Sequence, residues 1–187
     1  MFEGKNILIG ITGGIACYKV CEIITHLVKE GANVNVIMTK NATEFITPLT
    51  IETLSKNKVV TDMFEKKAHF EVEHISLARK ADLIIVLPAT ANIIGKVANG
   101  IADDMLSTTI MATNSQVVFA PAMNDGMYLN PIVQKNITKL KRYGYKFIPP
   151  QEGNLACGYH AIGKLADKKI IIDKIEKYWK GMIKNGL

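Results

Sequence analysis

Three side chains of this 187-residue chain carry acid–base or carboxylate-binding chemistry. His74 stands before the apolar segment "DLIIVLP", where a histidine can act as a general base or serve as a buried or helix-capping residue. Cys157 lies in a glycine-rich segment, 152–164, where its thiol would be exposed when the segment opens, or would be a passive small residue. Asn124 presents an amide that can hold a carboxylate or a ring, or can form a turn.

The segment "GITGGIA" opens a helix after an apolar strand and supplies Gly13, Gly14, Ile15 and Ala16. Free N–H groups and the helix dipole make such a turn an anion site. The glycine spacing is not that of a dinucleotide-binding loop, and Lys19 is not followed by the Ser or Thr of a P-loop. The second strand ends in Thr39 and not in an acid that would bind a ribose. A mononucleotide with one phosphate therefore fits better.

Small and hydroxyl residues also follow the other strands. The segment "LPATAN" supplies Ala89, Thr90, Ala91 and Asn92, and "MLSTT" supplies Ser107, Thr108 and Thr109. These hydroxyls could reach a phosphate or a ring, or they could face solvent or cap backbone groups. Because the carboxyl ends of parallel strands share one edge, we expect these clusters and 121–124 to converge on one ligand site.

Apolar strands alternate with helices along the chain, which is typical of a parallel sheet covered on both faces. The pattern predicts a single doubly wound α/β domain over 1–187, Rossmann-like or flavodoxin-like. Strands are predicted at 6–12, 33–39, 82–88, 116–122 and 145–149. Helices are predicted from 13 to Gly31, in broken form over 42–56, and at 74–81, 90–100, 103–113, 130–144 and 168–185, with a loop at 149–164.

Composition excludes several classes of protein. No apolar run reaches the length of about 18 residues that a membrane span needs. Three cysteines in a core-rich chain favour a reducing, cytoplasmic setting. The net charge of +6 comes largely from lysines near the end of the chain and predicts a solvated helix face. With only two arginines, the chain is not expected to bind nucleic acid.

The remaining cysteines and histidines predict structural roles. Cys17 and Cys21 lie four residues apart on one helix face, which favours core packing over metal binding. No metal site is expected. His26 and His69 are interpreted as structural or surface residues.

Six segments occur in an order that covers nearly the whole chain: "GGIACYK", "HISLARKADL", "PATAN", "GIADDMLSTT", "PAMNDGMY" and "LACGYHAIGK". Together they resemble the homo-oligomeric flavin-containing cysteine decarboxylases. Within that family the chain most resembles the branch that acts on 4′-phosphopantothenoyl-cysteine in coenzyme A biosynthesis, in which a ligase domain usually follows. Since the sequence ends at Leu187, this resemblance implies a stand-alone enzyme or an excised domain.

The resemblance implies FMN at the strand edge, a homotrimer or dodecamer, and roles for particular residues. His74 would be the catalytic base, Asn124 the ligand of the substrate carboxylate, and Cys157 the acid that completes turnover. The FMN site would comprise Gly13, Gly14, Ile15, Ala16, Thr39, Phe45, Ala89, Thr90, Ala91, Asn92, Ser107, Thr108 and Thr109, and the substrate site Ala122, Met123, Asn124 and Lys164. Two positions depart from the family pattern, Tyr128 where tryptophan is usual and Lys164 where arginine is usual.

The implied chemistry needs an electron sink, because direct loss of CO2 would leave a carbanion with no group to accept its charge. Removing a hydride from the carbon that bears sulfur gives a thioaldehyde, and loss of CO2 then gives an enethiolate. Returning the hydride, with a proton from Cys157, gives the thiol product, 4′-phosphopantetheine. His74 suits deprotonation of the substrate thiol.

Three alternatives stay open at this stage. A peptidyl-cysteine decarboxylase would stop at the enethiol and would not need Cys157. A flavin prenyltransferase shares the flavin fold but lacks the "PAMN" loop and the 152–164 segment. A non-catalytic flavoprotein would regulate a partner through its surface. The apolar helices within 93–112 could form a subunit interface or belong to the core.

Overall fold

A computed structural model describes residues 1–64 and 72–184. Its main sheet has six parallel strands in the order β3-β2-β1-β4-β5-β6. The strands are β1 Asn6–Ile11, β2 Asn33–Met38, β3 Val59–Val60, β4 Leu83–Ala89, β5 Gln116–Pro121 and β6 Lys146–Phe147. This is the strand order of a Rossmann fold. The chain adds strands on one side of β1 as far as β3 and on the other side from β4 onward, so the topological switch point lies between β1 and β4. The predicted doubly wound parallel sheet is confirmed.

Helices connect the strands and cover both faces of the sheet. A 3-10 helix, Ile15–Lys19, leads into α1. The α-helices are α1 Val20–Lys29, α2 Lys40–Thr43, α3 Pro48–Ser55, α4 Glu73–Lys80, α5 Ala91–Ala98, α6 Met105–Ala112, α7 Asp125–Tyr128, α8 Pro131–Arg142 and α9 Lys168–Lys184. No helix among the described residues combines the length and apolar character that crossing a membrane requires.

The two faces of the sheet bury separate apolar clusters. Ile9 and Ile11 of β1 point toward the cluster that holds α1 and α9, whereas Leu8 points toward the cluster under α5, α6 and α8. The apolar side chains of 93–112 belong mainly to the second cluster, where Ile94 and Ile110 are almost fully buried. Of the two interpretations of these helices, core packing therefore describes most of their apolar side chains.

The last helix packs its apolar side chains inward. Ile171, Ile175 and Trp179 of α9 are buried, and the Trp179 ring meets Phe2 edge to face with centroids 5.8 Å apart. Lysines such as Lys177 and Lys180 are exposed on the opposite side. The basic end of the chain is thus a solvated helix face, as predicted.

The prediction of a loop over 149–164 was wrong. Residues 149–164 contain an antiparallel hairpin, β7 Gln151–Asn154 with β8 His160–Lys164. Its strands do not alternate apolar with polar residues, because the hairpin lies outside both cores, and the usual periodic signal is therefore missing. The two-residue β3 and the single turn of α7 also escaped prediction because both are very short. His69 lies outside the described residues.

Candidate functional site

The crevice at the carboxyl edge of the sheet opens where β1 and β4 lie side by side. Thr12, the residue after β1, is 2% exposed, and its Oγ1 donates to the Pro88 carbonyl oxygen at 2.6 Å. The same hydroxyl accepts the Thr90 backbone N–H at 3.1 Å. Thr12 therefore fixes the end of β4 against β1. Sequence reasoning missed it, although a hydroxyl at a buried strand end was the available signal.

The glycine turn after β1 is packed on one side and open on the other. A Cβ at Gly13 would collide with the side chain and backbone of Asn41, so only glycine lets the turn approach α2 this closely. A Cβ at Gly14 would find its nearest neighbours, Thr90 Cγ2 and Pro88 Cγ, at 3.9 and 4.0 Å. The 3-10 helix that follows has no side-chain cap. Its first N–H groups are therefore suited to an anion.

Among the described residues, a buried hydroxyl after β2 has no hydrogen-bond partner. Thr39 is the N-cap residue of α2, and its Oγ1 is shielded from solvent without a partner in the structure. Buried polar atoms are nearly always paired, and this one lies at the carboxyl edge of the sheet, where a bound group could supply its partner. The structure thus fits a phosphorylated cofactor by two independent observations, the orphaned hydroxyl of Thr39 and the uncapped glycine turn.

The segment after β4 forms a helix start beside this turn. Thr90 caps α5, with its Oγ1 accepting the Ile93 N–H at 3.5 Å. Ala89 is buried in the sheet, whereas Asn92 is exposed on the first turn of α5. Phe45, which follows α2, is 50% exposed. Thr90 and Ala91 are half-buried, so a ligand at this edge could reach Thr90, Ala91 and Asn92 but not the side chain of Ala89.

The three hydroxyls of α6 bond to local backbone groups in this structure. Ser107 forms a capping box with Asp104, accepting its N–H at 3.2 Å while Asp104 Oδ1 accepts the Ser107 N–H at 2.8 Å. Thr108 Oγ1 donates to the Ala102 carbonyl at 3.1 Å, and Thr109 Oγ1 donates to the Met105 carbonyl at 2.7 Å. Backbone capping is the alternative that the sequence left open, and a role toward FMN stays a prediction.

A cluster of polar side chains joins the loop after β5 to the hairpin. Asn124 Nδ2 donates to Tyr159 Oη at 2.8 Å and lies 3.6 Å from Cys157 Sγ. Tyr159 Oη in turn donates to Asp125 Oδ1 at 2.6 Å. The structure thus brings together two predicted site residues, Asn124 and Cys157. It adds Asp125 and Tyr159, which lay inside the quoted motifs but were not singled out.

Hydrogen bonding sets the protonation of this cluster. The hydrogen bond to Asp125, with a further contribution from Cys157, raises the pKa of Tyr159 to about 12. The same hydrogen bond from Tyr159 is the main cause that lowers the pKa of Asp125. Near neutral pH the pair is therefore a protonated phenol beside an ionised carboxylate.

The hairpin docks on the loop after β5 through its backbone. The Met123 N–H donates to the Gly163 carbonyl at 3.0 Å. Gly163 has φ +135°, and a Cβ there would collide with the Met123 carbonyl oxygen. On the other side, the Ala122 N–H donates to the Ala89 carbonyl at 3.2 Å, linking the loop to β4. Lys164 Nζ lies 3.2 Å from Asp167 Oδ1.

His74 reaches the same edge from a different element. It is the second residue of α4 and is half-buried. A crossover helix runs antiparallel to its strands, so the start of α4 lies at the carboxyl edge. In the described part of the chain, no hydrogen bond joins His74 to Asn124 or Cys157. The structure therefore places His74 at the edge but not in the cluster around Asn124.

The other two cysteines lie in the 3-10 helix and in α1, outside the cluster around Asn124. Cys17 is buried, its Sγ donates to the Thr12 carbonyl at 3.1 Å, and burial raises the pKa of its thiol. Burial likewise raises the pKa of Cys21. Within residues 1–64 and 72–184, no group of three His, Cys, Asp or Glu side chains is arranged to hold a metal ion.

A family model described as Flavoprotein matches residues 1–180. The chain belongs to the flavoprotein family. This flavoprotein is 56% identical to the "Coenzyme A biosynthesis bifunctional protein CoaBC" of Borreliella burgdorferi over 172 residues, which cover 92% of the chain and 44% of that protein. The CoaBC protein of Bacillus subtilis is 50% identical and is also covered over 44% of its length. The chain thus spans less than half the length of these relatives.

Other relatives match the flavoprotein over nearly their full length. A "Probable phosphopantothenoylcysteine decarboxylase" of Streptococcus mutans is 45% identical, with 98% of its length covered. A solved cysteine-to-serine mutant of PPC decarboxylase, complexed with pantothenoylaminoethenethiol, superposes with a TM-score of 0.83 at 29% identity, covering 94% of this chain and 98% of that one. The FMN-dependent cysteine decarboxylase SpaF gives a TM-score of 0.82 at 32% identity, covering 93% and 96%.

Proposed function

We propose that this flavoprotein is an FMN-dependent decarboxylase that converts 4′-phosphopantothenoyl-cysteine to 4′-phosphopantetheine. The observation that carries the proposal is the 3.6 Å contact between Asn124 Nδ2 and Cys157 Sγ. It places a group that can hold a carboxylate beside a thiol that can supply a proton. The carbon that loses CO2 is also the carbon that must then be protonated, so both groups belong beside it.

FMN would occupy the crevice between β1 and β4. Its phosphate suits the glycine turn, where Gly14 and the N–H groups of Ile15 and Ala16 begin an uncapped helix. Thr39 Oγ1 would gain there the partner that it otherwise lacks. Bound FMN supplies the electron sink of the reaction, accepting a hydride from the substrate and returning it.

The chain's own groups would bind the substrate and move protons. One N–H of Asn124 Nδ2 would hold the substrate carboxylate, with Ala122 and Met123 lining the loop and Lys164 at the foot of the hairpin. His74 would accept the thiol proton of the substrate. After CO2 leaves, Cys157 would transfer its S–H proton to the carbon that lost CO2, and the closed hairpin would exclude water.

The relatives support this substrate over a peptide. The relative from Streptococcus mutans, named a probable phosphopantothenoylcysteine decarboxylase, is covered almost completely by this chain. A cysteine-to-serine mutant of PPC decarboxylase binds pantothenoylaminoethenethiol, an enethiol of the kind expected when the final protonation fails. The same structural family includes peptidyl-cysteine decarboxylase, so the identity of the substrate needs a direct test.

The proposal extends to assembly and setting. We infer a homotrimer or dodecamer of cytoplasmic decarboxylase domains spanning 1–187, working with a phosphopantothenate–cysteine ligase domain or protein. Exposed apolar side chains beside the site, Ile15, Phe45 and Leu49, support burial against a second copy. Light scattering should give a mass three or twelve times the 20.6 kDa of the chain. A monomer that binds FMN and turns over would contradict the assembly.

The function is tested by combining the purified protein with 4′-phosphopantothenoyl-cysteine. Flavin absorption bands and a product lighter than the substrate by CO2 alone would support it. A product also short of two hydrogens would instead favour a peptidyl-type enzyme that stops at the enethiol. A folded protein that takes up no added FMN would refute the proposal.

Replacing His74 by Asn should leave FMN bound and slow CO2 release by on the order of a hundredfold or more.

A further inference from the structure

Tyr159 links the tip of the hairpin to the loop after β5. Its hydroxyl donates to Asp125 Oδ1 at 2.6 Å and accepts from Asn124 Nδ2 at 2.8 Å. The residue is 47% exposed and contributes little to either apolar core. Because Tyr159 makes two short hydrogen bonds and does not pack in a core, its role depends on the hydroxyl group and not on the ring.

These hydrogen bonds orient both ends of the Asn124 amide. Asn124 Oδ1 accepts the Gly126 N–H at 2.9 Å, which fixes the oxygen toward α7. Of the two hydrogens on Nδ2, one goes to Tyr159. The other is available to Cys157 Sγ, which lies 3.6 Å from Nδ2 and is a weak acceptor that a carboxylate can replace. A carboxylate held by that hydrogen would therefore lie next to the Cys157 thiol.

We propose that Tyr159 and Asp125 are positioning residues that hold the Cys157 thiol over the Asn124 amide, so that the carbon losing CO2 is protonated before the product leaves. The inference rests on the proposed function and deepens it. Neither residue touches the reacting atoms. Each acts by fixing where Cys157 and Asn124 stand relative to one another.

The residue types at these two positions suit this role. A phenol can accept from Asn124 and donate to Asp125 at the same time, whereas a second carboxylate could not donate. The hydrogen bond to Asp125 raises the pKa of Tyr159 to about 12, and the protonated phenol keeps the O–H that it donates to Asp125 Oδ1. The ionised Asp125 makes the hydrogen bond charge-assisted and therefore stronger than one between neutral groups.

The direct test is the product of Tyr159→Phe, which removes only the hydroxyl. We expect unchanged FMN content and thermal stability, and a raised KM. The ratio of saturated thiol to enethiol product should fall by on the order of tenfold, the size of a lost hydrogen bond to a charged group. Tyr143→Phe is the matched control, because Tyr143 is an exposed tyrosine (73%) at the end of α8, and it should behave as wild type.

Asp125→Asn provides a second, independent variant. It should shift the product ratio in the same direction, and the double variant should be no worse than Tyr159→Phe alone, because both residues act through one hydrogen bond. Additive losses would mean that the two residues act separately and would overturn the pairing.

Amide hydrogen exchange gives a readout that does not depend on activity. The Met123 N–H, bonded to Gly163, and the amides of β7 and β8 should exchange faster in Tyr159→Phe than in wild type or Tyr143→Phe. If Tyr159→Phe shows the same amide exchange and the same product ratio as wild type, the inference is overturned while the proposed function stays intact. Loss of FMN or of folding in Tyr159→Phe would also overturn it, since the role would then be structural. A wild-type protein that releases no CO2 would overturn the proposed function itself, and the catalytic part of this inference with it.

Discussion

At the scale of single residues, the buried hydroxyl of Thr39 is the feature that most favours a cofactor site at the end of β2. Its Oγ1 is buried and has no hydrogen-bond partner in the part of the chain that the structure describes. Leaving such a group unpaired costs about 1–3 kcal/mol, so its retention requires a compensating contact. In this account the compensating contact is bound FMN.

Replacing Thr39 by Val should therefore have opposite effects on the two forms of the protein. The FMN-free protein should be as stable as wild type or more stable, because an unpaired hydroxyl is removed. FMN affinity should fall by on the order of tenfold, measured by fluorescence titration. The matched control is Thr25→Val, whose hydroxyl donates to the Cys21 carbonyl within α1 and should not affect FMN binding. Unchanged affinity in Thr39→Val would remove Thr39 from the site.

At this scale the sequence indicated residues whose type carries its own chemistry, and their roles in the site stay predictions. Asn124 and Cys157 were selected for an amide and a thiol, and the structure brings them together. Sequence reasoning missed Thr12, Asp125 and Tyr159, because their roles arise from partners that are distant in sequence. Tyr159, for example, meets Asp125 across 34 positions.

At the scale of elements, the hairpin depends on a glycine for its docking. Gly163 has φ +135° and lies against the Met123 carbonyl. Gly158 has φ +93°, and no atom of the described residues lies within 4 Å of the point that a Cβ would occupy there. Both conformations are unfavourable for a residue with a side chain. A comparison of substitutions at the two glycines therefore distinguishes the effect of backbone strain from the effect of a steric collision.

Replacing Gly163 by Ala should displace the hairpin, raise KM and shift the product toward the enethiol. Gly158→Ala bears similar backbone strain without the collision and should change these quantities much less. Thermal stability should stay close to wild type in both, because the hairpin lies outside the apolar cores. Steady-state kinetics with product analysis would check this, and equal effects of the two variants would show that docking is not the cause.

Asp104, the N-cap residue of α6, should make a pH-dependent contribution to the free energy of unfolding. Burial alone would raise the pKa of Asp104, but hydrogen bonds from Lys96 and Ser107 outweigh it and lower the pKa. Because the folded-state pKa lies below the unfolded value near 3.8, this contribution is present above that value. It is lost as the pH falls through the folded-state pKa.

Asp104→Asn keeps a capping oxygen but removes the charge. At neutral pH its melting temperature should be a few degrees lower than that of wild type, corresponding to about 1 kcal/mol. The two melting temperatures should stay apart above pH 3.8 and converge as the pH falls below it. Asp103→Asn is the control, since Asp103 also pairs with Lys96, at 2.6 Å, but is more exposed and caps no helix. A difference that stays constant below pH 3.8 would contradict the assignment.

At the scale of the whole molecule, the sequence was sufficient to predict the sheet but not the closure of the site. Long apolar strands such as β4 are buried on both faces, and that burial leaves a clear pattern. The hairpin left no such pattern, because β8 docks on the loop after β5 through Gly163 and neither strand of the hairpin belongs to an apolar core. Contacts between distant segments determine the site, and these required the structure.

We propose that the protein completes a redox-neutral decarboxylation in which Cys157 is the final acid. The most direct measurement is the mass of the product formed from 4′-phosphopantothenoyl-cysteine by wild type and by Cys157→Ser, with Cys21→Ser as a thiol control. The account predicts loss of CO2 alone for wild type and for Cys21→Ser, and loss of CO2 plus two hydrogens for Cys157→Ser. Saturated product at wild-type yield from Cys157→Ser would contradict it.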